Sequence, residues 1–287
     1  MTDKIVDEET GTETTGHEWD GIKELNTPLP RWWLWTFYAT IVWGIGYTIA
    51  FPAWPMISGA TAGVLGYSTR AQVAERIEAH EAQNAGLVAE LNGADLAALE
   101  PGSDLHRYAT ARGKSVFAAQ CSQCHGSGAQ GAVGYPNLLD DDWLWGGSIE
   151  QIAYSVTHGI RNETDADARW SEMPAFADVL EPAEIAATAE YVISLSNSDH
   201  DAALAAEGAI LFADNCASCH GENAQGDREI GAPNLADAIW LYGGDRDTLK
   251  ETIAQARFGV MPAWGQRLDT EDVRSVSVYL HSLGGGE

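Results

Sequence analysis

The sequence predicts a mainly α protein: one N-terminal transmembrane helix followed by two tandem copies of a small helical domain. Three observations predict it. Trp32 to Phe51 is a run of twenty residues without a charge, and twenty helical residues rise about 30 Å, the thickness of the hydrocarbon core of a bilayer. The pentapeptide Cys121-Ser-Gln-Cys124-His125 returns as Cys216-Ala-Ser-Cys219-His220, and the two runs use up all four cysteines. Its surroundings return with it, and 287 residues suffice for two ordinary domains and an extension.

The repeat has a period of about ninety residues. Gly113, Phe117 and Cys121 are spaced four and four, as are Gly208, Phe212 and Cys216. Pro136-Asn137-Leu138 answers Pro233-Asn234-Leu235, and a tryptophan, Trp143 or Trp240, stands six residues past each asparagine. Met173-Pro174-Ala175-Phe176 answers Met261-Pro262-Ala263-Trp264, with Tyr191 and Tyr279 each eighteen residues beyond the methionine.

In chain order, residues 1–31 are polar and acidic without periodicity, and are expected to lie loose at a membrane surface. Residues 32–55 are the anchor. Trp32, Trp33, Trp35 and Phe37 at one end and Tyr47, Phe51 and Trp54 at the other form interfacial aromatic belts. A cleaved signal peptide is the competing reading, with Ala60-Thr61-Ala62 as a cleavage-like triplet, but signal peptides open with a short basic segment rather than some thirty residues of net negative charge. Lys23 and Arg31 precede the helix and no basic residue follows it until Arg70, which keeps the N-terminus in the cytoplasm and places the rest in the bacterial periplasm.

Residues 56–106 form a linker: a Gly-rich connector, then one or two helices over 70–98 with Val73, Ile77, Leu87, Leu91 and Leu96 as an apolar stripe, then a break at Pro101-Gly102. The first small domain spans 107–196, with helices expected over 109–121, after Gly147 and near 182–195. A polar link from Asn197 to Asp201 leads to the second, 203–287. The copies differ between Gly159 and Met173, where the first carries Arg161 to Trp170. If Gly259 matches Gly159, this is a surface loop on the methionine side of the first copy.

C-x-x-C-H is the attachment pattern of c-type haem. Two residues between the cysteines set both sulfurs beside the two vinyl groups of one porphyrin, and the histidine that follows can ligate iron. One such run could also be half a zinc site or a redox dithiol. Two copies with matched surroundings and no further cysteine point to two covalently attached haem c groups, on Cys121 and Cys124 and on Cys216 and Cys219. His125 and His220 are then axial ligands. Met173 and Met261, at matching positions, complete the sets, with each copy pairing its own: His125 with Met173 and His220 with Met261. Such ligation stabilises ferrous iron and leaves no open position. His158, close to the methionine loop, stands outside this set as a weaker candidate. The carbonyls of Pro136 and Pro233 can accept the Nδ1 protons of the histidines. Trp143, Trp145, Trp240 and Tyr242 can line the haems or donate to propionates, or simply pack.

Charge is one-sided, with 16 Lys+Arg against 42 Asp+Glu and a net charge of -26. No nucleic-acid partner fits such a surface. It favours a basic protein partner by steering, or serves solubility.

These repeats resemble class I cytochrome c domains. His17-Glu-Trp-Asp-Gly-Ile-Lys-Glu-Leu-Asn26, Pro28-Leu-Pro-Arg-Trp-Trp-Leu-Trp35 and Phe51-Pro-Ala-Trp-Pro55 are narrower. They resemble the membrane-anchored dihaem subunit family, CcoP or FixP, of the cbb(3)-type cytochrome c oxidases. The resemblance implies a chain that takes electrons from a donor cytochrome c and relays them to the mono-haem and catalytic subunits of an inner-membrane, proton-pumping oxidase. Oxygen is reduced to water in that catalytic subunit, so no catalytic site is expected in this chain. The resemblance also implies that Trp19 and its neighbours pack on the catalytic subunit. Two alternatives are a membrane-tethered dihaem carrier serving another chain and a dihaem peroxidase. The His17–Asn26 signature argues against the first, and the matched methionines argue against the second.

Overall fold

A computed structural model describes residues 5–196 and 199–286 and divides the chain into two compact units, Met1–Gln83 and Asn84–Glu287. The link expected over Asn197 to Asp201 lies partly outside the described residues.

The first unit opens with a β-hairpin where a loose tail was expected. Strands β1 (Thr14–Trp19) and β2 (Ile22–Leu25) pair antiparallel, with Trp19 opposite Ile22 and Glu18 opposite Lys23. Asp20 and Gly21 form the two-residue turn with φ of 48° and 85°. Asp-Gly is a preferred pair for such turns because both central residues must take positive φ. Thr14 is buried and holds the carbonyl of Ile5 through both its amide and its hydroxyl.

Helix α1 (Arg31–Ala50) follows the run Pro28-Leu29-Pro30, and none of its residues is buried. It has the length expected for the anchor. By hydropathy, however, no helix among the described residues is long and apolar enough to cross a membrane. Four tryptophans, two tyrosines and three threonines within α1 carry polar atoms and lower its hydropathy. Two short strands, β3 (Pro55–Met56) and β4 (Gly59–Ala60), turn the chain in the connector. Helix α2 (Thr69–Gly93) is one unbroken element of 25 residues.

The second unit contains both repeats. The first supplies α3 (Asp104–Val116), a π-helical turn at Phe117–Cys121, α4 (Ser122–His125), α5 (Ile149–His158) and α6 (Pro182–Leu195). The second supplies α7 (Ala202–Asn215), α8 (Ala217–His220), α9 (Arg246–Gln255) and α10 (Thr270–His281). Side chains written in the sequence cap their starts: Ser103 for α3, Ser148 with Gln151 in a reciprocal capping box for α5, Asp201 for α7 and Asp245 for α9.

The two repeats, 107–196 and 203–287, exchange their closing helices. Helix α3 packs on α10, and α6 packs on α7. Only six residues separate Leu195, the end of α6, from Ala202, the start of α7, and a connection that short makes consecutive helices antiparallel neighbours. The last helix of the first repeat therefore closes on the first helix of the second. Phe117 meets Tyr279 with ring centroids 5.7 Å apart, and Phe212 meets Tyr191 at 5.1 Å, both pairs tilted. Each half of the unit is built from both repeats.

The halves are finished differently. Beside α3 and α10, Leu91, Leu96, Leu105, Ile149 and Val278 form a further cluster, and Arg274 donates to the carbonyls of Leu91 and Ala94. At the corresponding place in the other half stands the buried Glu190, which pairs with Arg246 and accepts from the amide of Asp201 at 2.8 Å.

Candidate functional site

Each C-x-x-C-H run sits on the short helix that ends a long one. Helix α3 passes through the π turn into Cys121, whereas α7 ends directly at Cys216. No disulfide joins any of the four cysteines. Burial, and then the neighbouring Cys124 or Cys219, pushes the thiols of Cys121 and Cys216 up to about 11.

Behind each histidine the chain makes the same loop. Gly131 donates its amide to the His125 carbonyl, and Gly226 to that of His220, both at 2.8 Å. Leu138 and Leu235 close the loops on the carbonyls of Ala129 and Ala224, two buried residues at positive φ. The loops bring Pro136 O to 3.0 Å from His125 Nδ1 and Pro233 O to 3.0 Å from His220 Nδ1, as the spacing predicts. A carbonyl only accepts, so Nδ1 carries the proton and Nε2 keeps the lone pair. Burial holds both imidazoles below the ordinary histidine value, against the opposing pull of the carbonyl, and so keeps them neutral.

The methionines are exchanged relative to the expected pairing. Met173 packs with Phe212 and Cys216 and lines one cavity with Cys219 and His220. Met261 packs against the cluster of Val116 and Phe117, as does Cys121. The structure thus brings Met173 to the second C-x-x-C-H and Met261 to the first. The reason is the αα-hairpin of α6 and α7, which carries the methionine arm preceding α6 into the other half.

The cavity at His220 has a volume of about 390 Å³, within the usual range for small-molecule and cofactor sites. Phe176, Val192, Leu235, Trp240, Leu249 and Ile253 make it largely apolar. Tyr242 and Arg257 bring polar atoms to it. Two thiols, a neutral imidazole and a thioether converging on one apolar cavity fit a covalently attached haem.

Two arginines were missed in the sequence. Arg169 and Arg257 each stand four residues before their methionine. The guanidinium of Arg257 lies 4.9 Å from the ring centroid of Tyr242 and donates to Thr248 O at 3.0 Å. That of Arg169 lies 5.3 Å from Trp145 and 5.0 Å from Tyr154. Nε of Arg169 is buried without a hydrogen-bond partner, a donor suited to an acid group such as a haem propionate. Counting back from the methionines would have found the pair. Matching Gly159 to Gly259 instead hid it, because the additional residues of the first repeat precede Arg169. Trp143 Nε1 donates to the Gly285 carbonyl, which is packing. Trp240 and Tyr242 line the cavity. His158 is held through Nδ1 by Asp165 at 3.2 Å and lies against Tyr154.

Comparison with known proteins identifies the family. Residues 11–58 match the N-terminal domain of cytochrome oxidase-cbb3, FixP, and residues 109–192 and 203–280 each match cytochrome c oxidase, cbb3-type, subunit III. The chain is 62% identical over 276 residues to the cbb3-type cytochrome c oxidase subunit CcoP of Cereibacter sphaeroides, covering 96% of this chain and 95% of that one. It is 52% identical over 284 residues to the subunit FixP of Sinorhizobium medicae, covering 99% and 98%. The subunit CcoP of Rhodobacter capsulatus is 52% identical over 286 residues, 96% of each chain. With the N-terminal hairpin region and both cysteine repeats matched, the chain belongs to the CcoP/FixP family, subunit III of the cbb3-type cytochrome c oxidases.

Proposed function

We propose that this chain is the electron-entry subunit of a cbb3-type oxidase and holds two c-type haems whose ligand sets are shared between the repeats. Cys121 and Cys124 tether one, with His125 and Met261 as axial ligands. Cys216 and Cys219 tether the other, with His220 and Met173. The observation that carries this reading is that the first cysteine of each C-x-x-C-H shares its hydrophobic cluster with the methionine of the other repeat.

A haem bound in each place supplies one-electron chemistry between ferric and ferrous iron, and His/Met ligation raises its potential and leaves no site for oxygen. The chain's own residues prepare for this. The Pro136 and Pro233 carbonyls orient the imidazoles and increase their basicity. Phe176, Leu235 and Ile253 keep water from the second site. Arg257 and Tyr242 are placed to meet acid groups there.

In this reading the subunit accepts electrons from a donor cytochrome c and passes them to a mono-haem subunit. The oxygen-reducing and proton-pumping steps belong to the catalytic subunit. Helix α1 anchors the chain in the inner membrane, with the N-terminus cytoplasmic and the haem-bearing unit periplasmic. Support comes from its 20-residue length and wholly unburied surface, and from tryptophans, which suit the membrane interface despite their modest hydropathy.

Purification through this chain in mild detergent tests the assignment. Copurifying b-type haem, two low-spin c haems per chain and CO-sensitive oxygen uptake with reduced cytochrome c are expected. A chain that emerges alone with no oxygen uptake would instead indicate a tethered carrier.

A further inference from the structure

The residues added to the first repeat join the two methionine arms where they cross. Ile160 pairs with Met261 in both directions: its amide donates to Met261 O at 3.1 Å, and Met261 N donates back to Ile160 O at 2.9 Å. On its other edge the same segment pairs with the arm leading to Met173. Arg169 N donates to Gly159 O at 3.2 Å, and Arg161 N donates to Arg169 O at 2.7 Å. Through these two isolated bridges Ile160 ties the arms together.

Arg161 fastens the crossing with its side chain. Its Nε donates to Gly259 O at 2.7 Å and its Nη1 to Ser171 O at 2.9 Å. Gly259 stands two residues before Met261, and Ser171 two before Met173. One guanidinium therefore holds the equivalent carbonyl in each arm. The side chain is half-buried beside the ring of Phe258, and its backbone takes a φ of 51°, strained for a residue with a Cβ. A guanidinium offers five donors in a rigid fork, whereas an ammonium is a point charge that cannot reproduce two fixed directions.

We infer that Arg161 is a positioning residue for both axial methionines, so that one side chain sets the ligation of both haems together. The inference rests on the ligand sets proposed above. Arg161 also lines the cavity at His220, where a permanent cation favours reduced iron.

The test uses the full-length holoprotein with Arg161→Met and Arg161→Lys. The far-red absorption band of methionine-ligated ferric haem and the potentials of both haems are read. In Arg161→Met, loss of well over half the band is expected, with a fall in both potentials. Added imidazole should bind both ferric haems more tightly by roughly tenfold or more, the scale set by losing charged hydrogen bonds that hold the competing ligand. Arg161→Lys keeps the charge but not the fork and should lose the band as well; it also decides the matter if Arg161→Met accumulates poorly. An unchanged band in Arg161→Lys, or a change at one haem only, would overturn the inference. Absence of the band from the native chain would refute the ligand sets themselves, a separate result.

Discussion

Gly113, in the opening helix of the first repeat, lies so close to Ser275, in the closing helix of the second, that an added Cβ would stand 2.0 Å from the Ser275 carbonyl oxygen. Gly208 has the same relation to Ala187, also at 2.0 Å. The glycine four residues before each Phe117 or Phe212 is thus the point where helices of different repeats touch backbone to backbone.

Gly113→Ala and Gly208→Ala should each destabilise the second unit. A methyl group driven against a backbone carbonyl cannot be relieved by a rotamer change, and overpacking of this kind costs about 1–3 kcal/mol. Denaturant unfolding of the holoprotein measures it. Spectral change should concentrate at the haem on His125 for Gly113→Ala and at the haem on His220 for Gly208→Ala.

Two carboxyls, the buried Glu190 and the half-buried Asp142, should give opposite pH dependences. Arg246 donating to Glu190 holds that carboxyl below its usual range, followed in the same direction by the Asp201 amide. Its contribution to stability is present above the unfolded carboxylate value and is lost as pH falls through the folded one. Glu190→Gln should flatten the acid limb of a stability–pH curve. Asp142 is pushed up to about 6 by burial and then by Asp237 and Asp140. Its folded form holds a proton that the unfolded chain has released, so stability falls as pH rises from about 4 to about 6. Asp142→Asn should remove that slope and add about 1 kcal/mol at pH 7, a figure reduced for its partial exposure.

The hairpin carries an exposed apolar pair, Trp19 and Ile22, directly opposite each other across the turn. Trp19→Ala should leave both haems attached while lowering the yield of other oxidase subunits recovered with this chain. Normal recovery would remove the hairpin from the assembly surface.

Much of this was legible in the chain. The repeat, the four cysteines, the histidines that follow them and the prolines behind them follow from spacing, because those contacts lie within about a dozen residues. The hairpin was equally legible from Asp20-Gly21, but a run of charged residues concealed it. The crossed methionines were not visible in the motif itself. Opening and closing helices of equivalent repeats present equivalent faces, so a partner from either copy satisfies Gly113, Phe117 and Cys121 alike. The brevity of the link before Ala202 decides between them, and it is a tertiary constraint rather than a motif. For α1, tryptophans that read as an interfacial belt are the same residues that lower its hydropathy.

The central claim is the exchange of methionines, and a chain carrying a single haem tests it most directly. Cys216→Ala with Cys219→Ala leaves only the haem on Cys121 and Cys124. Met261→Ala and Met173→Ala are then compared in that background by the far-red methionine–iron band. The account predicts loss of the band with Met261→Ala and its retention with Met173→Ala. Loss with Met173→Ala and retention with Met261→Ala would contradict it.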